Sequence, residues 1–127
     1  MKRFGLLILL LFVCSCTVHL SPEDLPRLKG RWEGWYVIKN FHYCSTLTFY
    51  NDSLPIQGIL RVDLFPLEKP LLFPFENEEI DARGHFTARF NDVNLDLTLV
   101  QEYQSFKLEG TLSRVGKSGR LSLGKAS

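Results

Sequence analysis

The chain has 127 residues, 45% of them apolar and 23% charged, and a formal net charge of +1. That length suits one domain, because a division would leave neither half enough core, and the apolar fraction is too high for a disordered chain. Near-neutral charge excludes a general nucleic-acid binder, which needs a basic surface.

The chain opens Met1-Lys2-Arg3 and then runs apolar from Phe4 to Val13, interrupted only by Gly5. Two cations, about ten apolar residues and a small-residue end form the pattern of an export signal. A spanning helix needs roughly 20 apolar residues, about twice this run. The run ends in Val13-Cys14-Ser15-Cys16, which resembles the lipobox of bacterial lipoproteins: an aliphatic residue, a small one, then the cysteine that is lipidated. The resemblance implies cleavage after Ser15, acyl chains (palmitate) on Cys16, and a membrane-anchored protein of the bacterial cell envelope. Thr17 stands where an Asp would retain a lipoprotein at the inner membrane, so the expected site is the outer membrane, facing the periplasm. Ordinary signal cleavage, or an uncut short anchor, are the alternatives. If Cys14 leaves with the signal and Cys16 carries lipid, Cys44 has no intramolecular partner, and the reading for it is a buried apolar filler, with an exposed, pairing-prone thiol as the alternative.

Residues 16–29 read as a lipidated tether ending in a short helical turn. Ser21-Pro22-Glu23-Asp24 is a helix start, with Ser as N-cap, Pro at the first helical position and acids in the first turn. Pro26 and Gly30 limit it to one or two turns. Residues 30–127 form the domain proper, whose charge balance, once Lys2 and Arg3 are lost, is near zero.

After Gly30 the apolar period is two. Ile56, Leu60, Val62 and Leu64 face one way, as do Phe86, Ala88 and Phe90; so do Val93, Leu95, Leu97 and Leu99, and then Phe106, Leu108 and Leu112. Leu121 and Leu123 repeat the pattern. Such alternation marks antiparallel sheet with one wet face. Asn51-Asp52-Ser53, Arg83-Gly84, Asn91-Asp92 and Gly116-Lys117-Ser118-Gly119 read as turns. At roughly 10–12 residues per strand and turn, the chain holds about eight or nine strands. The expected fold is all-β, an antiparallel meander closed into a small barrel to avoid exposed edges; an open two-layer sandwich is the alternative.

Gly30-Arg31-Trp32-Glu33-Gly34 resembles the Gly-x-Trp first strand of lipocalin-like (calycin-type) barrels, preceded there too by a short helical turn. The resemblance covers this opening and the general architecture. It implies that Trp32 closes the barrel bottom under a basic side chain from the last strands, Arg114 or Arg120.

The segment Phe65-Pro66-Leu67-Glu68-Lys69-Pro70-Leu71-Leu72-Phe73-Pro74-Phe75 holds three of the chain's 6 prolines, so it is no ordinary central strand. It is too apolar for a free loop. It reads either as a plug folded over the barrel end or as an exposed lip for a ligand or partner, through Leu71, Leu72, Phe73 and Phe75. A second aromatic concentration comprises Trp32, Trp35, Tyr36, Phe41 and Tyr43. With period two, Trp32 and Tyr36 point one way and Trp35 the other, making Trp35 and Tyr36 further binding candidates and Trp32 a core residue.

The acidic run Glu76-Asn77-Glu78-Glu79-Ile80-Asp81 lacks the oxygen spacing of a calcium loop and reads as a solvated turn. His19, His42 and His85 have no metal-ligand spacing, so no metal or cofactor is expected. Nucleophile-elbow, phosphate-loop and zinc-helix motifs are missing from the sequence. His42 and Cys44 stand i, i+2 on one strand face about 7 Å apart, too far for a thiol–imidazole pair. The expected function is therefore not catalysis. It is the binding of a small apolar molecule or an envelope protein by a lipid-anchored barrel, for which an interior of about 300 Å³ or more would mark a small-molecule carrier. The alternatives are an envelope inhibitor of a secreted hydrolase, whose small-barrel type the chain resembles in size and in Trp32 followed by Cys44, and a structural envelope component.

Overall fold

The computed structural model describes residues 15–63, 69–77, 80–114 and 116–126. The apolar leader 1–14, Leu64 and the start of the proline-rich segment (65–68) lie outside the described residues, as do Glu78 and Glu79 of the acidic run. No helix among the described residues is long and apolar enough to cross a membrane.

The fold is all-β. A first strand, β1 (Ser15–Val18), leads to a 3-10 turn (Pro22–Asp24) and a single helical turn, α1 (Leu25–Leu28). Eight strands follow: β2 (Gly30–Ile38), β3 (Phe41–Phe49), β4 (Ile56–Asp63), β5 (Leu71–Asn77), β6 (Phe86–Phe90), β7 (Val93–Glu102), β8 (Ser105–Arg114) and β9 (Lys117–Lys125). Every pairing is antiparallel, in the order β7-β8-β9-β2-β3-β4-β5, with β6 and β1 sharing the outer edge of β7. The eight-strand meander thus has the antiparallel topology expected from the period-two pattern.

Among the described residues no hydrogen-bonded ladder joins β5 to β6, so the sheet curls into an open half-barrel, and side chains fill the remaining gap. Phe75 on β5 and Phe86 on β6 meet edge to face at 5.2 Å between ring centroids, and Phe49 contacts both at 5.6 and 5.1 Å. Aromatic pairs in this geometry contribute beyond their buried area. The position of β5 explains Pro74: a proline removes a ladder donor and is tolerated on an edge strand. The described part of the proline-rich segment is therefore a strand at the seam rather than a plug.

Tight curling needs positions without a side chain. Gly34 and Gly110 face inward, and a Cβ there would lie 1.9 Å from the carbonyl oxygens of Ser122 and Asp96 respectively. These glycines let adjacent strands coil closely at the barrel's bends. The two-residue turns Lys39–Asn40, Asn91–Asp92 and Tyr103–Gln104 each begin with a residue of positive φ, 53–54°. Only the Asn91 turn carries the expected turn chemistry. The last hairpin is shorter than Gly116–Gly119 suggests, because Lys117 already pairs with Arg114.

Inward residues form a continuous apolar core that includes Trp32, Leu47, Phe49, Leu60, Leu97, Leu108 and Leu123. The segment read as a tether is not free: β1 pairs with β7, and Leu20, Leu25 and Leu28 are buried in the same core. The leucine spacing 20, 25, 28 sits outside the strand pattern and carries no period-two signal. The outer wall, by contrast, bears Arg31, Glu33, Thr46, Arg61, Asp63, Glu109 and Arg120, all partly or fully exposed. Polar outside and apolar inside is the reverse of a membrane-spanning barrel.

Candidate functional site

The two barrel ends are built differently, and the difference follows from which inward residues each strand contributes. At the closed end, where β2 begins, Trp32 is fully buried and its indole Nε1 donates to the Leu28 carbonyl at 2.8 Å. Lys125 Nζ lies 4.9 Å from the Trp32 ring centroid and donates to the carbonyl of Arg27 at 3.0 Å and to that of Lys29. Arg27 in turn lies over the Phe106 ring, 5.3 Å from its centroid. Ser21 adds a local lock, its backbone N–H and hydroxyl donating to the Asp24 carboxylate at 3.0 and 3.1 Å. Free carbonyls at a helix end are thereby paired with a cation, which the local dipole favours. The barrel bottom is a stopper made of α1.

The basic partner of Trp32 is thus Lys125, and neither Arg120 nor Arg114. Parity gives the reason. On β9, Lys117, Gly119, Leu121, Leu123 and Lys125 share the inward face, so Arg120 points out; it lines an open concavity on the outer wall with His42, Thr98 and Glu109. Arg114 does face inward, but at the far end, where it pairs with Lys117.

At that far end the core stops short. Tyr36, Ile38 and Tyr43 from β2 and β3, Val62 from β4 and Leu71 and Phe73 from β5 line one side of a cavity of about 200 Å³. Val93, Leu112, Arg114 and Lys117 from β7, β8 and β9 line the other. The barrel is therefore packed solid at one end and cupped at the other, and at about 200 Å³ the cup falls short of the roughly 300 Å³ expected of a small-molecule carrier, so only a shorter apolar body fits within it. Three rings climb one wall. Tyr36 stacks on Tyr43 with centroids 6.4 Å apart, and Tyr43 on Phe41 at 6.3 Å, with Phe41 exposed on the rim. Burial, and secondarily the neighbouring Tyr43, raise the Tyr36 phenol above its ordinary ionisation range. The Tyr36 ring has room because Gly119 lies beneath it; a Cβ at Gly119 would fall 2.3 Å from the ring.

Of the six residues expected to bind, the structure brings Tyr36, Leu71 and Phe73 together in this cup. Trp35 is 50% exposed and Leu72 52% exposed, both on the outer wall, and Phe75 is buried in the core below. Leu72 alternates with Leu71 and Phe73, so a strand separates them where a loop would not. Tyr43, Arg114 and Lys117 went unrecognised as a set, although each is legible by parity once the hairpins are placed: Tyr43 stands opposite Tyr36, and Lys117 opposite Arg114. Cys44 is exposed on the outer wall opposite Trp35, correcting its reading as a buried filler. Cys16 is also exposed, at the start of β1 opposite Gln101.

A polar cluster lies outside the cup. His85 Nδ1 is 2.9 Å from Asp96 Oδ1, and Arg83 bridges the other Asp96 oxygen at 3.2 Å to Asp81 at 3.1 Å. Its geometry holds the loop whose Gly84 carbonyl accepts from the Leu20 N–H, docking the N-terminal segment. Among the described residues, no group of three or more His, Cys, Asp or Glu side chains is placed to hold a metal ion. Comparison of the chain with known protein families, with curated proteins and with solved structures finds no match.

Proposed function

We propose that this chain is an envelope lipoprotein, anchored through Cys16, whose half-open barrel binds a small apolar molecule in the cup at the end away from the anchor. The observation that carries the reading is the polarity of the barrel along its axis. Val93, on the cup wall, and Gln101, opposite Cys16, are eight residues apart on β7, or about 27 Å at roughly 3.4 Å per residue. An acylated Cys16 would place the stoppered end at the membrane and turn the cup's mouth to the aqueous space. One acyl chain gives marginal binding to a bilayer and more than one gives stable anchoring. The lipobox-like Val13–Cys16, the Gly30–Gly34 opening at the stoppered end and the apolar cup wall all support this reading. A hydrolase inhibitor would present a protruding N-terminal segment or loop; here β1 is paired with β7 and Leu20, Leu25 and Leu28 are buried, so the N-terminal segment is not free to play that part.

Two measurements test it. Labelled palmitate should mark the wild-type chain and not Cys16→Ser, and the variant should leave the membrane fraction. Native mass spectrometry of the chain extracted from its own membranes should show an added small mass, lost when Leu112→Trp fills the cup. An unlabelled wild-type chain overturns the anchor, and a chain that carries no ligand and takes up no short alkyl compound overturns the cup.

A further inference from the structure

The cup's wall is apolar, but its rim is not neutral. Among the described residues that line the cavity, the charged groups are both cations, Arg114 and Lys117, which face each other across the β8–β9 hairpin. Both side chains are exposed, and long cationic side chains at such a position commonly lay the carbon stem along apolar surface and keep the charged head in water. Among the described residues, the acid paired with Arg114 is Asp92, on the β6–β7 turn, 3.7 Å from Arg114 Nε, with both side chains about half exposed. Such a pair is worth little and yields readily to an incoming anion. Lys117 makes no ion pair among the described residues. Two phenol hydroxyls, Tyr36 and Tyr43, line the same cavity and supply neutral donors.

We infer that the cup selects an amphipathic anion, a short apolar body with a carboxylate or phosphate head held at the rim by Arg114 and Lys117. The inference rests on the proposed cup and adds the chemistry of its ligand. The apolar body contacts Val62, Leu71, Phe73 and Leu112, where it loses water. The head stays at the mouth, where desolvation is small and the guanidinium fork offers two parallel donors to one anionic group. A cationic head would be repelled by both side chains, and a neutral one would forfeit the charge-assisted contacts. The cavity is small, so the body is short, or its remainder projects through the mouth.

Isothermal titration of the full chain in phosphatidylcholine vesicles, with empty vesicles subtracted, distinguishes the cases. Octanoate, octyl phosphate, octanol and octylamine share one alkyl body and differ in the head. At least one anion should bind about tenfold or more tighter than octanol, octylamine should bind more weakly than octanol, and the ratio of the two anions identifies the preferred head. The double variant Arg114→Gln, Lys117→Gln should bring the anions down to the octanol level while octanol binding is unchanged, which also shows that the cup is still folded. Octanol binding as tightly as both anions, or anion binding that survives the double variant, overturns the anion inference and leaves the cup standing. If none of the four binds, the cup reading falls with it.

Discussion

Trp32 illustrates how one side chain does several jobs at once. Its ring fills the barrel floor, its indole N–H satisfies the Leu28 carbonyl and its face receives Lys125. Trp32→Ala should therefore cost about 3–5 kcal/mol, as truncation of a buried aromatic does, read from the urea unfolding midpoint. Lys125→Met keeps the stem and loses the cation that holds the Arg27 and Lys29 carbonyls. Its cost should be about 1 kcal/mol, because the contact is charge-assisted but reached by solvent. Arg120→Met should change nothing, since its side chain stands on the outer wall; an equal loss there would reject the assignment of Lys125. Tyr36 gives a pH prediction. Its ionisation is pushed above the ordinary phenol value of 10.0, so between that value and the folded one the unfolded chain has lost a proton that the native chain keeps. The contribution to stability is full below pH 10 and is lost as pH rises through the folded value. Unfolding midpoints taken on either side of pH 10 should show this slope for the wild type and a shallower one for Tyr36→Phe.

At the scale of elements, curvature is the quantity most exposed to mutation. Gly34→Ala or Gly110→Ala drives a Cβ into a neighbouring carbonyl, where backbone rather than a flexible side chain must move. Each should cost about 1–3 kcal/mol, as overpacking does. Gly124→Ala is the contrasting case: nothing lies within 4 Å of the added Cβ, and its φ is not positive. That variant should be neutral or slightly stabilising, because it restricts the unfolded chain. Equal losses at all three positions in thermal unfolding would mean that strand propensity, and not close approach, is what the glycines serve. The β5–β6 seam has its own logic. A five-residue β6 and a proline in β5 leave two imperfect edges facing each other, and the Phe49–Phe75–Phe86 cluster fills the space that a ladder would otherwise close.

At the scale of the molecule, the chain is a container with a floor and a mouth. The floor exists because the N-terminal residues return to the barrel: β1 adds to β7, and Leu20, Leu25 and Leu28 cover Trp32. The mouth exists because the inward residues of the far ends are long and polar-tipped, Tyr36, Tyr43, Arg114 and Lys117, and do not meet in the middle. Tyr103, 71% exposed in the β7–β8 turn two residues beyond Gln101, the partner of Cys16, sits where a proposed anchor would bring the barrel against a bilayer, and aromatic residues favour such an interface.

What the sequence by itself determined is the alternation and its consequences: all-β class, eight or nine strands in a meander, an apolar inner and a polar outer face, and a buried Trp32. These follow from a local rule, since successive side chains of a strand point to opposite faces whatever the strand pairs with. By the same rule Arg120 lies on the face opposite Leu121, and Leu72 on the face opposite Leu71 and Phe73. The tertiary structure alone decided which ends of which strands meet. Turns such as Lys39–Asn40 and Tyr103–Gln104 lack a glycine signature, so register across them was not legible, and register is what sets Lys125 against Trp32 and Arg114 beside Lys117. The unladdered β5–β6 gap, the docking of residues 15–28 and the depth of the cup likewise depend on contacts between residues far apart in the chain, for which no local pattern exists.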